Sequence, residues 1–338
     1  MTTSVRPGGK VVELVAPREL HIAEYAHPEA EAHEVVVAVG ALGLCGTDLH
    51  IFGGRGDTYP WVVGHDAVGT VHAVGPGVDH VQVGERVIVT PTLYCGECPA
   101  CVSGSIQLCP NGGYLGMRGP GMAAQFVAVP ARLVIPIPDA VCDLAATALE
   151  PLAVALHTVA RITPLMPDPG PAIVIGGGPL GILQAKVMTH LGWDCIVAEP
   201  QAHRRDLATN LGIRAFDPAD VEDAVESSGR RLIVETSAAG PGVDLADRLA
   251  TPGSIIAVVG RGPHSIAPGS VLVKELSILG INGGPGAYPA ALELVASGVI
   301  DPTEVISHTF AWDEAPRAFA FSLDEPSIVV RTALVGSW

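Results

Sequence analysis

AIVIGGGPLGILQAK, residues 172–186, is the stretch that decides the fold of the second half of the chain. A short apolar run of strand type enters a glycine turn, and a helical pattern leaves it. The glycines fall as Gly176-x-Gly178-x-x-Gly181, with Pro179 and Leu180 opening the helix. In such a turn Gly176 makes the reversal and Gly178 lets a pyrophosphate approach the backbone. Gly181 lets helix and strand pack, while the helix N-terminus faces the phosphates. Alone, three glycines are also an ordinary tight turn; between a strand and a helix they predict dinucleotide binding. Glu199 ends the next apolar run, CIVAEP, where a carboxylate can accept the adenosine ribose hydroxyls and repel a 2′-phosphate. NAD is therefore favoured over NADP. His203, Arg204 and Arg205 follow. They either cover a solvated helix face or place a cation, Arg204 first, against the adenosine.

Working outward, RLIVETS, SIIAVVG and LSILGI alternate with the helical patterns AHRRDLATNLG and GVDLADRLATPG. Strand–helix alternation with buried strands predicts a doubly wound parallel sheet, an α/β fold, over residues 154–285. The first half has another rhythm: EVVVAVG, AVGTVHAVG, ERVIVTP and QFVAVPA are Val-rich runs between Gly- and Pro-containing turns. They predict a β-rich domain over residues 1–153, to which residues 286–338 are expected to return through the strand SIVVRTALV.

The 338 residues are 48% hydrophobic and 16% charged, which suits two packed domains and not a disordered chain. Aromatics are only 4%, so the core must lean on Val, Ala, Leu and Ile. A net charge of −16, with Lys10, Lys186 and Lys274 the only lysines, argues against nucleic acid as a partner. No apolar run reaches the length of a membrane span, and MTTSVRPGGKVVEL has no secretory h-region, so a cytoplasmic protein is expected.

Four of the seven cysteines crowd into YCGECPACVSGSIQLC as Cys95, Cys98, Cys101 and Cys109. Short C-x2-C spacings let a tight loop deliver four thiolates to a closed structural zinc site; free or paired thiols are the plainer alternative. A second donor set is scattered. GLCGTDLHIF brings Cys45, Thr47, Asp48 and His50, VVGHDAVG brings His65 and Asp66, and ATALEPLAVALH brings Glu150. One thiolate, one imidazole and carboxylates form a mixed set suited to catalytic zinc with one position open. Any one of these residues taken alone is more often packing than ligand.

Together, Cys45-Gly-Thr-Asp-x-His50, Gly64-His65, the four-cysteine loop and the glycine turn resemble the zinc-containing medium-chain dehydrogenase/reductase family, over nearly the whole chain. Glu150-Pro151-Leu152-Ala153 looks like its polyol and cyclitol dehydrogenase branch, and CGTDLHI is also similar to threonine dehydrogenases. The resemblance implies a GroES-like catalytic domain, a Rossmann NAD-binding domain, two zinc ions per chain and a dimer or tetramer. It implies that Cys45 and His65 ligate catalytic zinc, with Glu150 doing so directly or through water. Asp66 stands where the family has Glu, one methylene shorter, and either ligates or supports the ligands. Thr47 would bond the substrate hydroxyl, and His50 would receive the proton relayed through the cofactor ribose. Arg331 resembles a position that contacts the pyrophosphate. The function implied is hydride transfer between NAD and a secondary alcohol or ketone, most naturally a polyol or cyclitol. Oxidation of an amino-acid hydroxyl, as in threonine dehydrogenase, is the alternative within enzymes. A scaffold that binds nucleotide and zinc without catalysis is the alternative outside them, and Thr47 and His50 speak against it.

Overall fold

The structure is a computed structural model describing residues 5–56, 58–225, 229–262 and 265–338; Met1–Ser4 of the opening segment lie outside them. Two compact units divide the chain. One runs to Glu150 and includes Leu292–Trp338; the other is Pro151–Ala291. The divide falls in the first turn of the helix Leu149–Ile162.

The first unit is built on one large sheet. Its main path runs Val134–Pro136, Arg86–Val89, Asp66–Val74, Glu34–Gly43, Ala124–Pro130, Arg6–Ala16 and Glu19–Tyr25, paired antiparallel. Thr332–Val335 pairs antiparallel with the end of Glu34–Gly43, so the closing strand rejoins this unit. Val11, Val35, Val37, Leu42, Phe52, Met122, Val127 and Phe319 are buried together, an aliphatic core of the kind that few aromatics require. Register places the chemistry. Gly43 pairs with Asp66 on one side and Ala333 on the other, so Cys45, Asp66 and Arg331 leave adjacent strand ends. The hairpin Thr92–Leu93 with Gly113–Tyr114 carries the four-cysteine loop between its strands.

The second unit holds a six-stranded sheet in the order Arg214–Phe216, Asp194–Ala198, Pro171–Ile175, Leu232–Glu235, Ile255–Val258, Ser277–Gly280, all parallel. Ile173, Ile196, Ile233 and Ile256 pack with Leu245 and Leu249 of the helix Gly240–Leu249. Strand order reverses beside Pro171–Ile175, the switch point where such sheets bind ligands. Among the described residues no helix is long and apolar enough to cross a membrane.

Candidate active site and metal centres

Turn geometry folds the four cysteines onto one point. Gly96 and Gly104 take left-handed backbone (φ +86° and +82°), and Pro99 opens the helical turn Pro99–Val102. The sulfurs of Cys95 and Cys109 are 3.5 Å apart, those of Cys98 and Cys101 3.5 Å, and those of Cys95 and Cys101 3.9 Å. A disulfide needs about 2.05 Å, whereas four sulfurs about 2.3 Å from one zinc lie roughly 3.8 Å apart. The residues fit a closed tetrahedral ion. Backbone N–H groups of Glu97 and Cys98 lower the Cys95 thiol to about 6, so a thiolate is ready at neutral pH; desolvation raises Cys101 to about 12.

The scattered donors also converge. Ligand atoms of Cys45, His65 and Asp66 all lie within 4.8 Å of one another. Cys45 caps the short helix Gly46–His50, whose third residue, Asp48, turns back into the unit. Fully buried, Asp48 accepts Cys45 N–H at 2.9 Å and Gly64 N–H at 3.0 Å, and its Oδ1 lies 3.3 Å from His65 Nδ1. His65 Nδ1 has no hydrogen-bond partner among the described residues, so Asp48 acts on the ring through charge, while Nε2 lies 3.9 Å from Asp66. Burial works against charge on either partner, yet their mutual attraction lowers Asp48 and, with Asp66, holds His65 well above its ordinary value. Asp66 Oδ1 is buried without a hydrogen-bond partner, an acceptor that a cation would satisfy. The thiolate, imidazole and carboxylate therefore fit zinc with a fourth position open.

Glu150 lies outside that three-donor group. Its Oε1 accepts a hydrogen bond from the Tyr114 hydroxyl at 2.5 Å, and desolvation together with the Asp66 charge raises it to about 7. The Tyr114 ring meets His65 edge to face at 5.4 Å. Nothing in the sequence reading singled out Tyr114; its register opposite Thr92, just past the fourth cysteine, is the signal that could have done so. Arg331, expected at the pyrophosphate, has its guanidinium buried against the Asp66 carboxylate and donates to Thr147 O at 2.8 Å. A closing strand anchored beside Gly43 directs it there, and its Nη2 lies only 2.3 Å from where a Cβ on Gly43 would stand. Thr47 and His50 share the helix that follows Cys45. Partial burial and the nearby Arg55 lower His50 below its ordinary value.

In the second unit Gly176 makes the reversal at φ +102°. A Cβ on Gly181 would stand 1.8 Å from Gly176 O, while one on Gly178 would meet nothing nearer than Arg204 Nη1 at 4.0 Å. Close packing and open approach fall on the two glycines expected to need them. Pro179 begins the helix Pro179–His190, followed by Leu180. Glu199 is only 4% exposed, and both of its oxygens are held by backbone: Gly177 N–H at 2.6 Å and Gln201 N–H at 2.8 Å. Sequence reasoning missed Gly177, whose Cβ would crowd Glu199 Cγ at 2.9 Å. Arg205 is turned to Glu199 O, Pro200 O and Asp217.

Comparison with known proteins adds an independent line. Residues 31–139 match the alcohol dehydrogenase GroES-like domain, and residues 179–297 match the zinc-binding dehydrogenase family. The chain is 36% identical to 2-dehydro-3-deoxy-L-galactonate 5-dehydrogenase of Pseudoalteromonas atlantica, covering 86% of this chain and 88% of that one. It is 30% identical to the sorbitol dehydrogenase of Bacillus subtilis (96% of each chain) and 30% identical to the L-threonine 3-dehydrogenase of that organism (88% and 90%). Among solved structures, an alcohol dehydrogenase from Escherichia coli CFT073 complexed with NADH superposes with a TM-score of 0.87 at 28% identity, covering 98% and 100% of the chains. A zinc-binding dehydrogenase from Sinorhizobium meliloti 1021 bound to NADP gives 0.85 at 29%, covering 96% and 98%.

Proposed function

The chain belongs to the zinc-binding alcohol dehydrogenase family with a GroES-like domain, and from that premise we propose that it transfers hydride between NAD and a secondary alcohol or ketone, a polyol or cyclitol above all. The observation that carries this reading is the Cys45, His65 and Asp66 set, three mixed donors with one position left for a substrate oxygen. Zinc held there supplies Lewis-acid stabilisation of negative charge on that oxygen. Thr47 would accept a hydrogen bond from the substrate hydroxyl, and His50, on the same helix, would take up the proton that the hydroxyl releases. Asp48 acts on the His65 ring through charge, and Arg331 balances Asp66. Cys95, Cys98, Cys101 and Cys109 hold the second ion and do no chemistry.

NAD is preferred because Glu199 is pinned at the end of its strand, where a 2′-phosphate would meet a carboxylate. The glycine loop, with Gly176, Gly178, Pro179, Leu180 and Gly181, takes the pyrophosphate, and Arg204 lies toward the adenosine. A cytoplasmic setting is the expectation from cysteine usage, since four of the seven cysteines group as candidate metal ligands. A homodimer or tetramer is the expected assembly, with a small-molecule alcohol or ketone as the partner in the site.

The test is an NAD⁺ and NADP⁺ screen against polyols, cyclitols, sugar acids, threonine and simple alcohols, run beside Cys45→Ser. Turnover of a polyol with NAD⁺, lost in Cys45→Ser while NAD binding persists, is the expected result. Survival of activity in Cys45→Ser would sink the reading. Faster turnover of threonine than of any polyol would move the substrate to an amino acid.

A further inference from the structure

Four observations in the first unit meet at Tyr114. Its hydroxyl donates to Glu150 Oε1 at 2.5 Å, and its ring edge meets His65 at 5.4 Å. Glu150 stands outside the group formed by Cys45, His65 and Asp66, whose ligand atoms fall within 4.8 Å. Ligands of one zinc sit about 2.0–2.3 Å from it, so a carboxylate outside that group does not share the ion as it stands. Tyr114 itself is not free to move. It pairs with Thr92, Leu115 N–H donates to Pro91 O at 2.9 Å, and the Gly112 Cα lies so near Leu93 O that a Cβ would come within 2.4 Å. The loop between these two strands is the four-cysteine lobe, closed at Cys95 and Cys109.

We propose that Tyr114 is a positioning residue that holds the Glu150 carboxylate back from the three-donor set, keeping the fourth position of the ion for the substrate oxygen. The proposal rests on the zinc reading of that set. Glu150 is half-buried, and without the tyrosine hydroxyl its Oε1 loses the protein donor that fixes where the carboxylate points. Deprived of the tyrosine hydroxyl, Glu150 turns to the strongest cation in reach, the ion, and competes with substrate. The four-cysteine lobe thereby acts on the reaction at one remove: it fixes the hairpin, the hairpin fixes Tyr114, and Tyr114 fixes Glu150.

The experiment uses the full chain with cobalt(II) in both sites, as wild type, Tyr114→Phe, Glu150→Gln and the double variant. Phenylalanine keeps the ring against His65, and the cobalt–thiolate absorption of the four-cysteine site reports in each variant that the fold is intact. In Tyr114→Phe the d–d bands of the open site should move, and its ion should become harder to remove with a chelator, the reverse of the loss that deleting a supporting residue ordinarily causes. The KM for the alcohol should rise about tenfold with kcat within about twofold, as for a competitor that saturating substrate displaces. In the double variant the band shift and the tighter hold should both be gone. An ion that becomes easier to remove, as loss of plain structural support would make it, overturns the proposal, and so does a spectrum unchanged by Tyr114→Phe. A wild-type chain that takes up cobalt only at the four cysteines overturns instead the zinc reading beneath it.

Discussion

Asp48 is a carboxylate with no exposure, and all of its described partners belong to the candidate metal site: Cys45 N–H, Gly64 N–H and the His65 ring. It fixes the cap of one short helix and supplies the charge facing one candidate ligand at once. In Asp48→Asn one backbone donor loses its acceptor or the ring loses its charge partner. Metal affinity at the open site should fall about 10–100-fold, read as zinc per chain after dialysis against a chelator. Gly43 is a second such point. A Cβ there would stand 2.3 Å from Arg331 Nη2 and 2.5 Å from Thr147 O, so Gly43→Ala should cost about 1–3 kcal/mol, seen as a lower denaturation midpoint. Under the proposed relay, His50 is the group expected to carry the pH dependence. Its lowered pKa, from partial burial and Arg55, keeps it neutral and able to accept a proton at neutral pH. Activity should fall as the medium becomes acid enough to protonate it. Arg55→Gln removes one cause of the lowering and should move the acid limb of kcat/KM upward in pH; an unmoved limb would exclude His50 as the group observed.

At the scale of elements, the two candidate metal centres differ in how the chain delivers them. The closed one comes from a single loop, and its C-x2-C spacings were readable because a tight turn needs little beyond glycine and proline at fixed places. The open one comes from a strand end, a loop and a helix start, which only the long-range register of Gly43 with Asp66 and Ala333 brings together. Cys45, His65 and Asp66 could be named from sequence as candidate donors, together with Glu150, which lies outside their group; Tyr114 and the buried position of Arg331 could not, since each depends on pairing across many residues. Glu199 was readable as the acid ending a strand, whereas its backbone tether was not. Zinc analysis should separate the centres: about two ions in the wild type, with Cys98→Ser losing the closed one and Cys45→Ser the open one. A single ion in the wild type would refute this division. The strand Asp194–Ala198 offers a pH test of its own core. Burial, reinforced by Asp194, raises Cys195 to about 12. A thiol held neutral in the fold stabilises it fully below its unfolded pKa of about 8.5 and loses that contribution as pH climbs toward the folded value. Wild-type stability should therefore decline more steeply above that pH than that of Cys195→Ala.

For the whole molecule, two cores account for the periodicities in the sequence: alternating strands in one unit, strands and helices by turns in the other. Among the described residues the parallel sheet ends at Ser277–Gly280 with its outer edge unpaired, next to a short helix on which Leu272 and Val273 are 78% and 82% exposed. An open edge beside bare aliphatic side chains is a surface that soluble chains usually cover. Sedimentation should find a dimer or larger assembly, and Leu272→Glu with Val273→Glu should shift it toward monomer. The pinned carboxylate of Glu199 has a last consequence, for anyone wishing to redesign this chain. Because Gly177 N–H and Gln201 N–H close on that side chain, it braces the glycine loop, and under the proposed NAD reading it is also the gate against a 2′-phosphate. A neutral residue there opens the gate and slackens the brace together. Glu199→Ser should weaken NAD⁺ by more than it gains for NADP⁺, and a true exchange of coenzyme will need a second change that rebuilds the loop.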